Sequence, residues 1–258
     1  MSSFKRNLVA FNTIVSKEIN RFMRIWIQTI LPSAITTVLY FLIFGNLMGQ
    51  RIGEMSGVAY IEYIVPGLIM MGVINNAYAN VVSSFFGAKF QHSIEEMLVS
   101  PASNLAVLLG FVVGGALRGL LVGAVVTIIA LLFTHITILH WGLMCVVILL
   151  TSLLFSTAGL VNAIYAKKFD DVSLVPTFIL SPLTYLGGVF YSIDLLPGFW
   201  HSISLVNPIL YMVNAFRYSL LGISDVSIYI SMGLIIGFTV VLFATAWYLL
   251  EKGIGLRK

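Results

Sequence analysis

The residues with chemical potential in this sequence fall into a few sparse groups. Asn76, Asn80, Ser83 and Ser84 make a polar stripe at helical spacing within an apolar run. Such a stripe suits a path for a polar substrate. It equally suits hydrogen bonding between helices, worth on average ~0.6 kcal/mol per bond in a bilayer. Arg118 is the one strong base inside an apolar run. An ionisable group at such a place marks function by default, but a long stem can also carry a guanidinium out to the nearest interface. Two charged stretches lie between apolar runs: Glu95-Glu96, and Lys167-Lys168-Phe169-Asp170-Asp171. Each suits either a docking partner or an ordinary solvated turn, where an exposed ion pair contributes ~0–1 kcal/mol. His135 and His140 stand five residues apart with no acid or cysteine nearby, a weak metal signal. No nucleophile–base pair is in view, so catalytic, cofactor-binding and metal-binding residues are all expected to be absent.

The elements that carry these residues are dictated by composition. Of 258 residues, 59% are hydrophobic and 9% charged, and the mean hydropathy is +1.02. A soluble domain carries roughly 25% charged residues. Long apolar runs of this kind read as bilayer spans. The single cysteine, Cys145, excludes an intrachain disulfide. The net charge of +4 is not clustered with aromatics on one face, so nucleic acid is not an expected partner.

The pattern predicts an all-α membrane protein with six transmembrane helices, at 25–45, 63–86, 104–133, 142–165, 173–191 and 228–250. Residues 1–24 precede them. Phe4, Leu8, Phe11, Val15, Ile19 and Phe22 recur at helical spacing there, with Lys5, Arg6, Lys17, Arg21 and Arg24 around them. This predicts an amphipathic helix lying in the headgroup plane. Met1–Arg24 lacks the apolar core and cleavage site of a signal peptide, so the segment is expected to be retained. Gln50, Arg51, Glu54 and Glu62 fall in an expected polar loop. The third run is longer than one bilayer needs, at ~1.5 Å per residue against a core of ~30 Å, and must protrude or tilt.

Lysine and arginine counts set orientation when loops are short. With the N-terminus inside, the cytoplasmic segments hold Lys5, Arg6, Lys17, Arg21, Arg24, Lys89, Lys167, Lys168, Lys252, Arg257 and Lys258. The opposite side holds Arg51 and Arg217, with Arg118 inside a span. Eleven against two predicts both termini in the cytoplasm.

The stretch Leu180–Arg217, LSPLTYLGGVFYSIDLLPGFWHSISLVNPILYMVNAFR, is the most informative. Gly187-Gly188 closes the fifth span, Leu196-Pro197 makes a turn, and Asn207-Pro208 separates two apolar pieces too short to cross. Backbone at membrane depth must be satisfied internally, so residues 192–225 read as a re-entrant helical pair. Gly187, Gly188, Val189, Leu196, Pro197, Pro208, Ile209, Tyr211 and Arg217 fall where the signature of the ABC-2 type transporter permeases asks for them. The chain resembles that family over essentially its whole length, and in particular its small bacterial inner-membrane members.

The resemblance implies a permease subunit of an ATP-binding cassette exporter. Two copies would form the substrate pathway as a homodimer in the bacterial inner membrane. A separate ATPase would dock on the cytoplasmic face, with ATP bound there rather than by this chain. No Gly-x4-Gly-Lys-Ser/Thr pattern occurs in the sequence, in keeping with that division of labour. Residues 87–101 resemble the family's coupling helix, so Glu95 and Glu96 would face the ATPase. Lys167, Lys168, Asp170 and Asp171 would form a second contact, and Asn76, Asn80 and Ser83 could line the pathway. The rival is an ion-driven secondary transporter or channel, which asks for acids or bases deep in several spans.

Overall fold

The computed structural model describes residues 2–256, leaving out the side chain of Asn46. Arg257 and Lys258 of the orientation count lie outside those residues. Among the described residues, five helices are long and apolar enough to cross a membrane.

The chain opens with α1, Ser3–Arg24, capped by Ser2, whose Oγ accepts from the Lys5 amide. Next comes α2, the apolar helical stretch Trp26–Ile52, with π geometry over Phe41–Met48. A two-residue hairpin pairs β1, Glu54–Met55, with β2, Val58–Ala59. Ser56 and Gly57 both take positive φ at its turn, as a tight hairpin turn that follows strand twist requires. This hairpin replaces most of the expected polar loop: Gln50 and Arg51 belong to α2, and Glu62 to the following helix.

That helix, α3 (Tyr60–Phe90), is the centre of the bundle. It packs on α5 (Asn104–Phe133), α6 (Trp141–Tyr165) and α10 (Pro208–Leu221). It is buried on all sides, with Tyr63, Ile64, Val65, Met70, Val73, Ile74, Ala77 and Phe85 without exposed surface. The most polar span is thus the innermost one. Polar side chains survive at such depth only where they find partners. Glycines on α5 set the helix spacing. A methyl group on Gly115 would lie 2.3 Å from Val81 and on Gly119 2.8 Å from Ala77, both on α3. On Gly110 it would lie 2.7 Å from Ile14, and on Gly114 2.5 Å from Glu18, both on α1. The glycine rows serve packing within one chain.

These contacts also define the course of α1. Asn7 meets Ser103, Ile14 meets Gly110 and Glu18 meets Gly114, a constant offset that sets α1 parallel to the first third of α5. Its buried stripe is Ile14, Glu18 and Phe22, while Phe4 and Leu8 stay exposed. The helix is a packed member of the bundle, rotated from the apolar face read in the sequence.

After a short helix α4, Ser93–Val99, and the pair α5–α6, the expected fifth span departs from a plain helix. It runs as α7, Phe169–Val175, a π turn at Pro176–Leu180, and α8, Ser181–Tyr185. Pro182 has no amide to donate and its ring needs room at the preceding turn, so the helix widens. The apolar pieces beyond are α9, Gly198–Val206, and α10; α11, Ile228–Lys252, completes the fold.

Candidate functional site

At the end of the bundle where α3, α6 and α11 finish, three segments converge. Glu95 of α4, Lys167 of the turn after α6, and Leu256 beyond α11 line one cleft with Phe86, Lys89, Phe90 and His92. Asn104 at the start of α5 donates to Glu251 Oε2 at 2.9 Å, fixing α11 to the same end. The two charged stretches singled out in the sequence are therefore neighbours. Glu95 lies 3.1 Å from His92 Nδ1, while Glu96, Lys167, Lys168 and Asp170 are exposed. Phe90 and Phe169 are exposed too, with ring centroids 4.8 Å apart, so the charges frame an aromatic ridge.

Asp171 differs from its neighbours. Its Oδ2 accepts from the amides of Lys167 at 2.8 Å and Lys168 at 3.0 Å. These two N–H groups hold the carboxyl below the usual carboxylate range. Asp171 caps the start of α7 and shapes the turn.

The signature stretch is built around Arg217. Its side chain has no exposed surface, and its guanidinium carbon sits 4.0 Å from the centre of the Tyr63 ring. Nη2 donates to the carbonyl of Gly188. Arg217 was counted among the outer-side charges, within the second re-entrant piece; the structure has it on α10, buried against α3. A planar, delocalised cation that stacks on an aromatic can lie there where an ammonium would not. Gly188 takes φ +69°, and a methyl group on Gly187 would lie 2.9 Å from Ile209. Pro197 precedes α9 and Pro208 opens α10, each where a missing amide costs nothing. The Tyr211 hydroxyl donates to the Leu205 carbonyl at 2.6 Å, and Leu196 is half-buried. The signature residues hold a backbone shape.

The polar stripe meets α1. Asn80 Nδ2 donates to Glu18 Oε2 at 3.0 Å, and the Ser84 hydroxyl donates to Oε1. Arg21 Nη2 reaches Glu18 Oε2 at 3.1 Å and both oxygens of Asn80 at 2.9 Å; its Nη1 reaches Ser83 Oγ at 3.4 Å. One step deeper, Asn76 accepts from Arg118 Nη2 at 3.1 Å and donates to Ser33 of α2 at 3.0 Å. Arg118 points to this partner within the bundle rather than toward a water interface. The amides of Asn76 and Asn80 are thus occupied with interhelical bonds. Sequence reasoning missed Glu18. The signal was present: it stands between Ile14 and Phe22 at four-residue spacing, an acid on an apolar stripe.

Comparison with known proteins adds an independent line. The family model described as "ABC-2 type transporter" matches residues 9–221. The inner membrane transport permease YadH of Escherichia coli K12 is 55% identical over 249 residues, covering 96% of this chain and 97% of its own. Nodulation protein J of Rhizobium leguminosarum bv. viciae is 24% identical over 229 residues, 88% of each chain.

Proposed function

The chain belongs to the ABC-2 type transporter family, and on that premise we propose that it is the permease subunit of an ATP-binding cassette exporter. It works as a homodimer in the bacterial inner membrane, with a separate ATPase subunit on the cytoplasmic side. Transport permeases of this kind are membrane subunits rather than hydrolases; ATP belongs to the partner.

One observation supports the reading most. Glu95 and Lys167, 72 positions apart in the sequence and read separately as ATPase contacts, line the same cleft at one end of the bundle. Lys89, Lys168 and Lys252 lie at that end as well, while Arg51 lies in the last turn of α2 at the other. The positive-inside rule makes the lysine-rich end cytoplasmic, so both termini are cytoplasmic. The span of residues 173–191 is the sixth crossing, interrupted by its π turn. Helices α9 and α10 have 9 and 14 residues, or about 14 and 21 Å at ~1.5 Å per residue. Neither crosses alone, and they form a re-entrant cap over the outer end of the pathway. Binding of ATP closes two ATPase subunits, and α4 with the Lys167–Asp171 turn passes that movement to the spans.

Purification of the tagged chain together with an ATPase encoded beside it tests this. The expected result is a stable complex whose ATP turnover depends on this chain. A chain that binds no ATPase defeats the reading, and a deletion of Glu95–Met97 that leaves ATPase binding intact defeats the coupling role of α4.

A further inference from the structure

The end of α6 leaves carbonyls without helical donors, as every helix C-terminus does. Three of them, those of Ala163, Ile164 and Ala166, converge on the Nζ of a single residue of another helix, Lys89 near the end of α3. The bond to Ala166 is 2.8 Å and that to Ala163 is 3.5 Å. An ammonium has three N–H donors, and the negative end of a helix dipole favours a cation. Lys89 is half-buried, so this side chain is committed to the helix end rather than to solvent.

What leaves from each side of this contact matters. Ala166 is followed directly by Lys167 and the turn capped by Asp171. Lys89 is followed by His92, in the left-handed conformation at φ +59°, and then by α4. The Ser93 hydroxyl donates back to the Ala88 carbonyl at 3.1 Å, fastening α4 to the same turn of α3. Lys89 therefore joins the roots of the two segments that frame the cleft. Each segment alone is short.

We propose that Lys89 is a positioning residue that binds the coupling helix α4 and the Lys167–Asp171 turn into one mechanical unit, so that an ATPase movement reaches α3 and α6 together. This rests on the permease reading above. The tie acts through backbone carbonyls, so it depends on the donors of residue 89 and on no side chain of α6.

The experiment separates the tie from the function. In a Cys145→Ser background, spin labels are placed at Val99→Cys and Asp170→Cys, and the interlabel distance distribution is measured in lipid nanodiscs without ATPase. Lys89→Gln is expected to widen the distribution at least twofold. Lys89→Arg, which keeps several N–H donors, is expected to preserve it. An unchanged width in Lys89→Gln, or an equal widening in Lys89→Arg, overturns the tie. Unlabelled variants are then purified with the ATPase. Lys89→Gln is expected to bind it as well as the unsubstituted chain does, with ATP turnover of the complex reduced at least fivefold and restored in Lys89→Arg. Unchanged turnover overturns the coupling role. If the unsubstituted chain binds no ATPase, the permease reading fails and the coupling role fails with it, while the spin-label comparison still decides whether Lys89 joins the segments.

Discussion

Asn80 on α3 donates to the carboxylate of Glu18 on α1 at 3.0 Å, and Glu18 has no exposed surface. A polar residue of the central span is thereby spent on anchoring the N-terminal helix. Three donors meet this carboxylate, Asn80, Ser84 and Arg21, and Arg21 is held in turn by the Asn80 side-chain oxygen, to which it donates. Removing a buried ion-pair partner costs ~3–5 kcal/mol. Arg21 is partly exposed, with 28% of its side chain accessible, and keeps Asn80, so the cost here is smaller.

Glu18→Ala is therefore expected to destabilise the solubilised protein by about 2 kcal/mol, the loss of two to three charge-assisted hydrogen bonds offset by solvation of Arg21. At roughly 2–4 °C per kcal/mol for a chain of this size, the melting temperature falls by about 4–8 °C. Glu18→Gln keeps an acceptor for Ser84 and falls less. A Glu18→Ala midpoint within 1 °C of the parent means the network contributes no anchoring.

The glycines divide by position, which makes a controlled comparison. Gly115→Ala forces a methyl group to 2.3 Å from Val81 and 2.7 Å from the Ser156 hydroxyl. Overpacking of this kind costs about 1–3 kcal/mol. Gly237 on α11 has nothing within 4 Å of the same added atom. Gly237→Ala is expected to be neutral or mildly stabilising, because alanine loses less chain entropy in a helix. Paired melting curves check the ranking, and equal midpoints for the two variants contradict the packing seen at α3–α5.

How much of this was legible in the sequence depends on the range of the interaction. Helices α5, α6 and α11 are long apolar runs without prolines, and their predicted ends lie within two residues of those found. The fifth span was legible as apolar and as interrupted by Pro176 and Pro182, but the form of the break, a π turn between them, was not. The closure of the hairpin at Ser56-Gly57 is likewise local, yet too short to show as a strand period. Partnerships across the fold were illegible. Lys89 read as a topology charge, though its three acceptors stand more than seventy residues away. Arg217 read as an outer-side charge at the end of the signature, with no sign of Tyr63, which lies 154 positions earlier. Burial of a charge is decided by partners that no local window contains.

That pairing gives a prediction on chemistry rather than size. Arg217→Lys keeps the charge but replaces a planar stacking group by a compact, strongly hydrated ammonium. The Tyr63 contact and the bond to the Gly188 carbonyl cannot both be kept. The variant is expected to lose about 2 kcal/mol or more, since the ammonium must desolvate with poorer partners. Gly188→Ala probes the other end: at φ +69° an alanine is strained by about 1–2 kcal/mol. Because both changes strike one contact, the double variant is expected to cost less than the sum of the singles. Full additivity in melting or denaturant titration separates the two residues.

Asp171 sets a pH dependence whose sign follows from its two amide donors. Its folded pKa lies below the unfolded value of about 3.9. A depressed carboxyl contributes stability that is fully present above the unfolded pKa and is lost as pH falls through the folded one. The turn at Lys167–Asp171 is therefore closed at neutral pH and opens only in strong acid. Hydrogen exchange at the Lys167 and Lys168 amides reads this directly, because these are the N–H groups that the carboxylate holds. At pH 7, Asp171→Ala is expected to raise their exchange several-fold over the parent while leaving α6 unchanged. The ratio of variant to parent should shrink toward one as the pH falls below the ordinary carboxylate range and the parent's own carboxyl takes up its proton. A ratio that stays constant across that range means the turn is shaped by something other than the charge of Asp171.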